Sequence, residues 1–262
     1  MFKVCVIFSV SVISLVLNYF LVLSTNSEAW VSEVTQYGNI QRCISVLEAD
    51  ETSTIIVGSS ISGRLLPTYF DGGCTYNLGV DSGSTTACLE YLKSNNVVPE
   101  KLIVELNRLD LEGYHDNVDK MVSLFGERDA ISFRLRMLQP NYRPSSVLYQ
   151  YIKVLVDRGI HKKSVTNDVN CRYESSAAIG VSVDLLIVDL LEHFAEQGVE
   201  IIFIDIPSKV IPSVDVQEMA KNWELNNRAI FINREVQGVK LSFSDDIHMT
   251  LESARAYVRK VL

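Results

Sequence analysis

Short apolar runs that alternate with longer segments of helical periodicity constrain this chain more than any other feature. The runs at residues 55–57, 75–78, 102–106, 200–206 and 239–243 read as strands. Segments 85–93, 183–196, 216–230 and 250–262 read as helices, and Gly198 closes the second of them. Several of the strands are apolar throughout (Leu102-Ile103-Val104, Ile201-Ile202-Phe203) rather than alternating with polar residues. Strands of that kind are buried on both faces. The alternation therefore predicts an α/β chain with a mainly parallel sheet covered by helices on both sides.

The N-terminus is of another kind. Residues 4–23 carry no charge, and twenty residues at helical rise span about 30 Å, the thickness of a bilayer core. Lys3 precedes the run, no Lys or Arg follows before Arg42, and Glu28 and Glu33 lie between. This asymmetry places the N-terminus in the cytoplasm and the remainder outside. Ser27-Glu28-Ala29 offers a small-x-small cleavage site, but the run exceeds a signal peptide's apolar region of about 7–15 residues, so an uncleaved signal anchor is expected. The expected organisation is an anchor over 1–24, a juxtamembrane helical stretch over 25–50, and an α/β domain over 51–262. Segment 110–180 breaks the strand–helix rhythm with Gly113, Gly126, Pro140, Pro144 and Gly159, and reads as an insertion or lid.

Composition excludes some partners. The formal net charge of −8 argues against nucleic acid, whose phosphates demand a basic face, and against an anionic membrane surface. Of five cysteines, Cys5 falls in the anchor, while Cys43, Cys74, Cys88 and Cys171 lie beyond it. Outside the cytoplasm four cysteines permit two disulfides; buried free thiols are the alternative. No Cys/His spacing points to zinc, and no metal or organic cofactor is implied.

The polar residues that stand out all fall at predicted strand ends. Ser59 and Ser60 follow the first strand, Asn77, Gly79 and Gly83 belong to the second, Asn107 follows the third, and Asp245 and His248 follow the last. In a doubly wound sheet those ends share one edge, where such folds bind ligands. A hydroxyl, an imidazole and a carboxylate brought together there form a nucleophile–base–orienter set. Each residue also has an ordinary role: Ser60 as a helix N-cap, Asn107 in an Asx-turn, the glycines in turns, Asp245 as a cap of the last helix. His115, His161 and His193 have no supporting spacing. Arg64 and Arg108 lie near the predicted edge; binding an anionic substrate group is one reading, and a surface role is the expected one.

These blocks resemble those of the SGNH (GDSL-like) hydrolase superfamily. Gly58-Ser59-Ser60 is similar to its Gly-Asp-Ser block, with Ser60 at the nucleophile position. Residues 77–84 are similar to the block that supplies an oxyanion-hole glycine, Asn107 to the asparagine of the third block, and Asp245-x-x-His248 to the closing block. The resemblance implies a flavodoxin-like three-layer α/β/α sandwich. It also implies a Ser60–His248–Asp245 triad and an oxyanion hole made by the Ser60 N–H, Gly79 or Gly83, and Asn107. Three departures stand beside it. Ser59 replaces the usual Asp, Glu105-Leu106-Asn107-Arg108 replaces Gly-x-Asn-Asp, and the second block has one residue too many between Asn77 and Gly83. With the anchor, these departures are similar to divergent bacterial envelope and exopolysaccharide members. The implied function is an esterase or O-acyltransferase acting on acyl esters, in particular O-acetyl groups of a carbohydrate polymer. It would be anchored in the bacterial inner membrane and face the periplasm or exterior, near a membrane acyl-donor partner. The other class is an inactive SGNH-like binding or assembly subunit of a polysaccharide system.

Overall fold

The computed structural model describes residues 35–71, 73–81, 83–109, 185–235, 239–245 and 247–262, with Ile13 and Val16. The chain divides into two compact units, Met1–Gly38 with Phe125–Val165 and Asn39–Leu124 with Thr166–Leu262. Apart from exposed Ile13 and Val16, the expected anchor lies outside the described residues, as do segment 110–180, Cys5 and Cys171. Among the described residues no helix is long and apolar enough to cross a membrane.

Five strands form one all-parallel sheet in the second unit: β1 (Thr54–Ser59), β2 (Thr75–Val80), β3 (Lys101–Glu105), β4 (Glu200–Ile204) and β5 (Ala229–Ile232). Their order is β2-β1-β3-β4-β5, that of a doubly wound sheet whose ligand crevice lies at the carboxyl ends of the strands. The helices are α1 (Thr35–Val46), α2 (Thr85–Ser94), α3 (Leu185–Glu196), α4 (Val214–Leu225) and α5 (Leu251–Val261). Short 3₁₀ turns at Ser62–Arg64 and Pro67–Tyr69 connect β1 to β2.

Side-chain hydroxyls start three of the helices. Ser84 accepts from Ala87 N–H, Ser213 from Val216 N–H and Thr250 from Ser253 N–H, which satisfies one orphan donor in each first turn. Left-handed residues stop three: Asn96 (φ 54°) after α2, Gly198 (φ 80°) after α3 and Asn227 (φ 54°) after α4. Gly198 and Asn227 are each one residue from the next strand, and Asn96 is followed by residues 97–100 before β3. The expected helix over 216–230 thus ends at Leu225, and its last residues form β5 instead. The expected strand over 239–243 is not one. Phe243 pairs only with Met249, in an isolated antiparallel bridge, and Leu241 and Phe243 pack on the core beneath α5.

The two faces of the sheet have separate cores. On one, Ile56, Ile103 and Ile204 pack with Ile61, Leu65, Ile206, Met249, Ala254, Tyr257 and Val258. On the other, Phe203 meets Trp223 of α4 edge-to-face, and Leu89, Leu92, Leu190 and Phe194 of α2 and α3 are fully buried. Each such side chain contributes about 1.5–3 kcal/mol by leaving water. Cys43 and Cys88 are buried free thiols and Cys74 is an exposed one, so these three form no disulfide. Burial pushes the Cys43 thiol up to about 12 and raises that of Cys88, as expected of small hydrophobes rather than nucleophiles.

Candidate active site

Strand β1 ends at Ser59, and the chain turns into the 3₁₀ segment at Ser62. Ser60 sits on that turn, half-buried at the carboxyl edge of the sheet. On the far side of the sequence, Asp245 and His248 occupy a loop closed by Ser244 N–H donating to His248 O (2.9 Å) and Thr250 N–H donating to Ser242 O (3.0 Å). Asp245 Oδ1 accepts the backbone N–H groups of Ile247 (2.8 Å) and His248 (2.6 Å). Its Oδ2 lies 2.8 Å from His248 Nδ1, and His248 Nε2 lies 2.8 Å from Ser60 Oγ, across a sequence separation of 188. The three side chains form one hydrogen-bonded relay.

The network fixes the proton positions. A carboxylate can only accept, so Nδ1 carries the proton toward Asp245, and in the neutral imidazole Nε2 then accepts from Ser60 Oγ–H. Partial burial pushes the Asp245 carboxyl up, but the His248 side-chain hydrogen bond, the two backbone donors and the imidazole's charge outweigh it. The carboxyl is held at about 2. It is therefore ionised wherever the imidazole needs an orienting anion.

The residues expected to build the oxyanion hole are engaged elsewhere. The Asn107 amide nitrogen donates to Ile206 O (2.9 Å) and Val210 O (2.7 Å), and its carbonyl accepts Ile206 N–H (2.9 Å). Asn107 is 3% exposed and braces the loop after β4. That loop is also held by Asp205, which grips Arg234 through both carboxylate oxygens (2.7 and 2.5 Å). Gly79 N–H donates to Asn77 Oδ1 (2.6 Å) inside β2, and Gly83 N–H donates to Val80 O (2.9 Å) in a turn. Of the expected donors, only the Ser60 N–H has no partner among the described residues.

One site residue escaped the sequence reading. Glu105, the last residue of β3, is fully buried. Its Oε2 accepts Ser59 N–H (2.8 Å) and Ser62 N–H (3.0 Å), and its Oε1 accepts Ser59 Oγ–H (2.7 Å). Burial raises the Glu105 carboxyl, against the pull of those donors. A Cβ at Gly58 would collide with Glu105 Oε2 and Ser62 Oγ, so the glycine makes the space that this carboxylate fills. The available signal was a Glu inside the apolar run Leu102-Ile103-Val104-Glu105-Leu106, a position where an unpaired charge is rare. Asn77 adds a second brace, donating to Ser62 O (2.8 Å) and Leu65 O (2.7 Å).

Searches of protein-family models, of curated proteins and of solved structures return no match to this chain.

Proposed function

We propose that this protein is a serine-dependent acyl-ester hydrolase or O-acyltransferase of divergent SGNH type. In this reading it is held in the bacterial inner membrane by residues 4–23, with its α/β domain outside the cytoplasm. The observation that carries the proposal is the relay from Asp245 through His248 to Ser60, with 2.8 Å at both ends of the imidazole. Nothing in the packing of an ordinary core requires these three polar side chains to meet across the whole sequence.

The chemistry follows from the geometry. Ser60 Oγ attacks an acyl carbonyl while His248 Nε2 takes its proton. Asp245 holds the tautomer and stabilises the imidazolium that forms. The Ser60 N–H is the donor left for the developing oxyanion. The alcohol leaves with the proton from Nε2, and an acyl-serine remains. Water then releases the acid in an esterase; a sugar hydroxyl takes the acyl group in a transferase. The O-acetyl group and the carbohydrate acceptor belong to the resemblance rather than to this geometry.

A second reading is a binding or assembly subunit with the same fold. It draws on Asn107, Gly79 and Gly83, whose donors are committed to structure and leave a sparse oxyanion hole.

Hydrolysis of a chromogenic acetyl ester by the purified full-length protein, beside Ser60→Ala, tests the proposal. Turnover is expected to fall by at least about 10³ in the variant. A folded wild-type protein that neither exceeds Ser60→Ala nor transfers acetyl to an oligosaccharide would overturn the enzymatic reading and favour the second.

A further inference from the structure

We infer that Glu105 is a positioning residue for Ser60: a buried carboxylate on β3 that clamps both ends of the Ser59–Ser62 turn and sets the direction in which the hydroxyl and N–H of Ser60 are presented. The inference rests on the reading of Ser60 as the nucleophile.

A carboxylate in an apolar core is costly unless its oxygens are met by donors. Here every contact goes to one four-residue turn. Oε2 accepts the N–H of Ser59 and the N–H of Ser62, so residues 59 to 62 are closed into a ring through the Glu105 side chain. Oε1 accepts the Ser59 hydroxyl, and that hydroxyl oxygen in turn accepts Ile61 N–H (3.2 Å). The backbone donors of Ser59, Ile61 and Ser62 are thus all anchored on Glu105, directly or through one hydroxyl. Ser60, between them, is the exception. Its N–H has no partner among the described residues, and its Oγ meets His248 Nε2. The clamp takes every backbone donor of the turn except the one an oxyanion would use.

The same arrangement accounts for two sequence departures together. An Asp at position 59 would bring a second carboxylate to within hydrogen-bond distance of Glu105, and two like charges cannot both ionise there. A serine at 59 supplies a donor instead. A Glu in place of glycine at 105 is accommodated because Gly58 has no Cβ to oppose it. Ser59, Glu105 and Gly58 form one unit around the nucleophile.

The test uses the full-length protein with Glu105→Gln and Glu105→Leu. It reads the rate of Ser60 labelling by a fluorophosphonate, kcat and KM on the acetyl ester, and the thermal melt. Gln keeps a neutral acceptor, and neutral hydrogen bonds are roughly half as strong as charge-assisted ones, so labelling and kcat are expected to fall about tenfold with KM within about twofold. Leu keeps the volume and removes all acceptors; the loss is expected to reach about a hundredfold or more. Either variant, folded by its melt, labelling and turning over at the wild-type rate would overturn the inference. If Glu105→Leu does not fold, Glu105→Gln alone decides it. If the wild-type protein neither labels nor turns over, the nucleophile reading fails separately. The Ser60 Oγ–His248 Nε2 separation in crystals of the variants then decides the clamp: 2.8 Å retained in both overturns it, and displacement in either upholds it.

Discussion

Asp245 accepts three hydrogen bonds through two oxygens, two from backbone and one from imidazole. It is therefore both the turn-former of its loop and the orienter of His248, which explains why an i, i+3 spacing in sequence delivers a usable pair in space. Its pKa of about 2 lies below the ordinary aspartate value of about 3.9. Because the folded value is the lower one, the stabilisation it provides is present above about pH 4 and is lost as the pH falls through about 2. A carboxyl-carbon NMR titration is expected to place the Asp245 midpoint near 2; a midpoint near 4 would mean that the three donors are not made in solution. Ser60 was legible because it follows a strand end, and Asp245 and His248 because a carboxylate and an imidazole at i, i+3 follow the last apolar run, although that run forms no strand. Glu105 was not. Its role depends on an empty space at Gly58 on the neighbouring strand, and a single sequence does not display what lies beside what.

At the scale of elements, boundaries were legible where one residue type forces them and not where tertiary pairing decides. Gly198 announces the end of α3 because its φ of 80° suits glycine. Asn227 takes the same conformation after α4, but Asn226-Asn227 reads more weakly, and the expected helix over 216–230 runs through it into the first two residues of β5. The stretch 25–50, expected to follow an anchor, contains Gly38, yet α1 runs through it from Thr35 to Val46. The hold of α1 on the site loops is specific. Asn39 donates to Asp81 O (3.0 Å) and accepts Asp81 N–H (2.9 Å). Arg42 donates to the carbonyls of Gly79 and Gly63, joining the end of β2 to the 3₁₀ turn that follows β1. Asn39 is 7% exposed, so its loss would leave both backbone groups of Asp81 without partners in a poorly hydrated place. Asn39→Ala is expected to lower the unfolding free energy by about 1–3 kcal/mol, read as a shift in urea midpoint. An unchanged midpoint would show that α1 rests on the domain without bracing it.

At the scale of the molecule, a parallel sheet brings residues from both ends of the chain to one edge, and this lets a serine near residue 60 meet a histidine near the C-terminus. The alternation of strands and helices made that edge legible; it did not reveal which core carries the site. The structure makes the α5 face the platform. Ile61 and Met249 are the chain neighbours of Ser60 and His248, they are 3% and 2% exposed, and both belong to the cluster of Ile56, Ile103 and Tyr257. The opposite core, with Leu92 and Phe194 fully buried, lies on the other face of the sheet. The two cores should therefore differ in what their loss does. Met249→Ala and Leu92→Ala each remove a buried side chain and are expected to cost about 2–5 kcal/mol of stability. Well below its melting temperature, Leu92→Ala should keep kcat within about twofold, because a cavity distant from the relay leaves its 2.8 Å contacts in place. Met249→Ala should lower kcat about tenfold or more, since a displacement near 1 Å at His248 is enough to misalign proton transfer. Equal kcat values for the two folded variants would show that the loop of Asp245 and His248 is held by its own hydrogen bonds and not by the core beneath it.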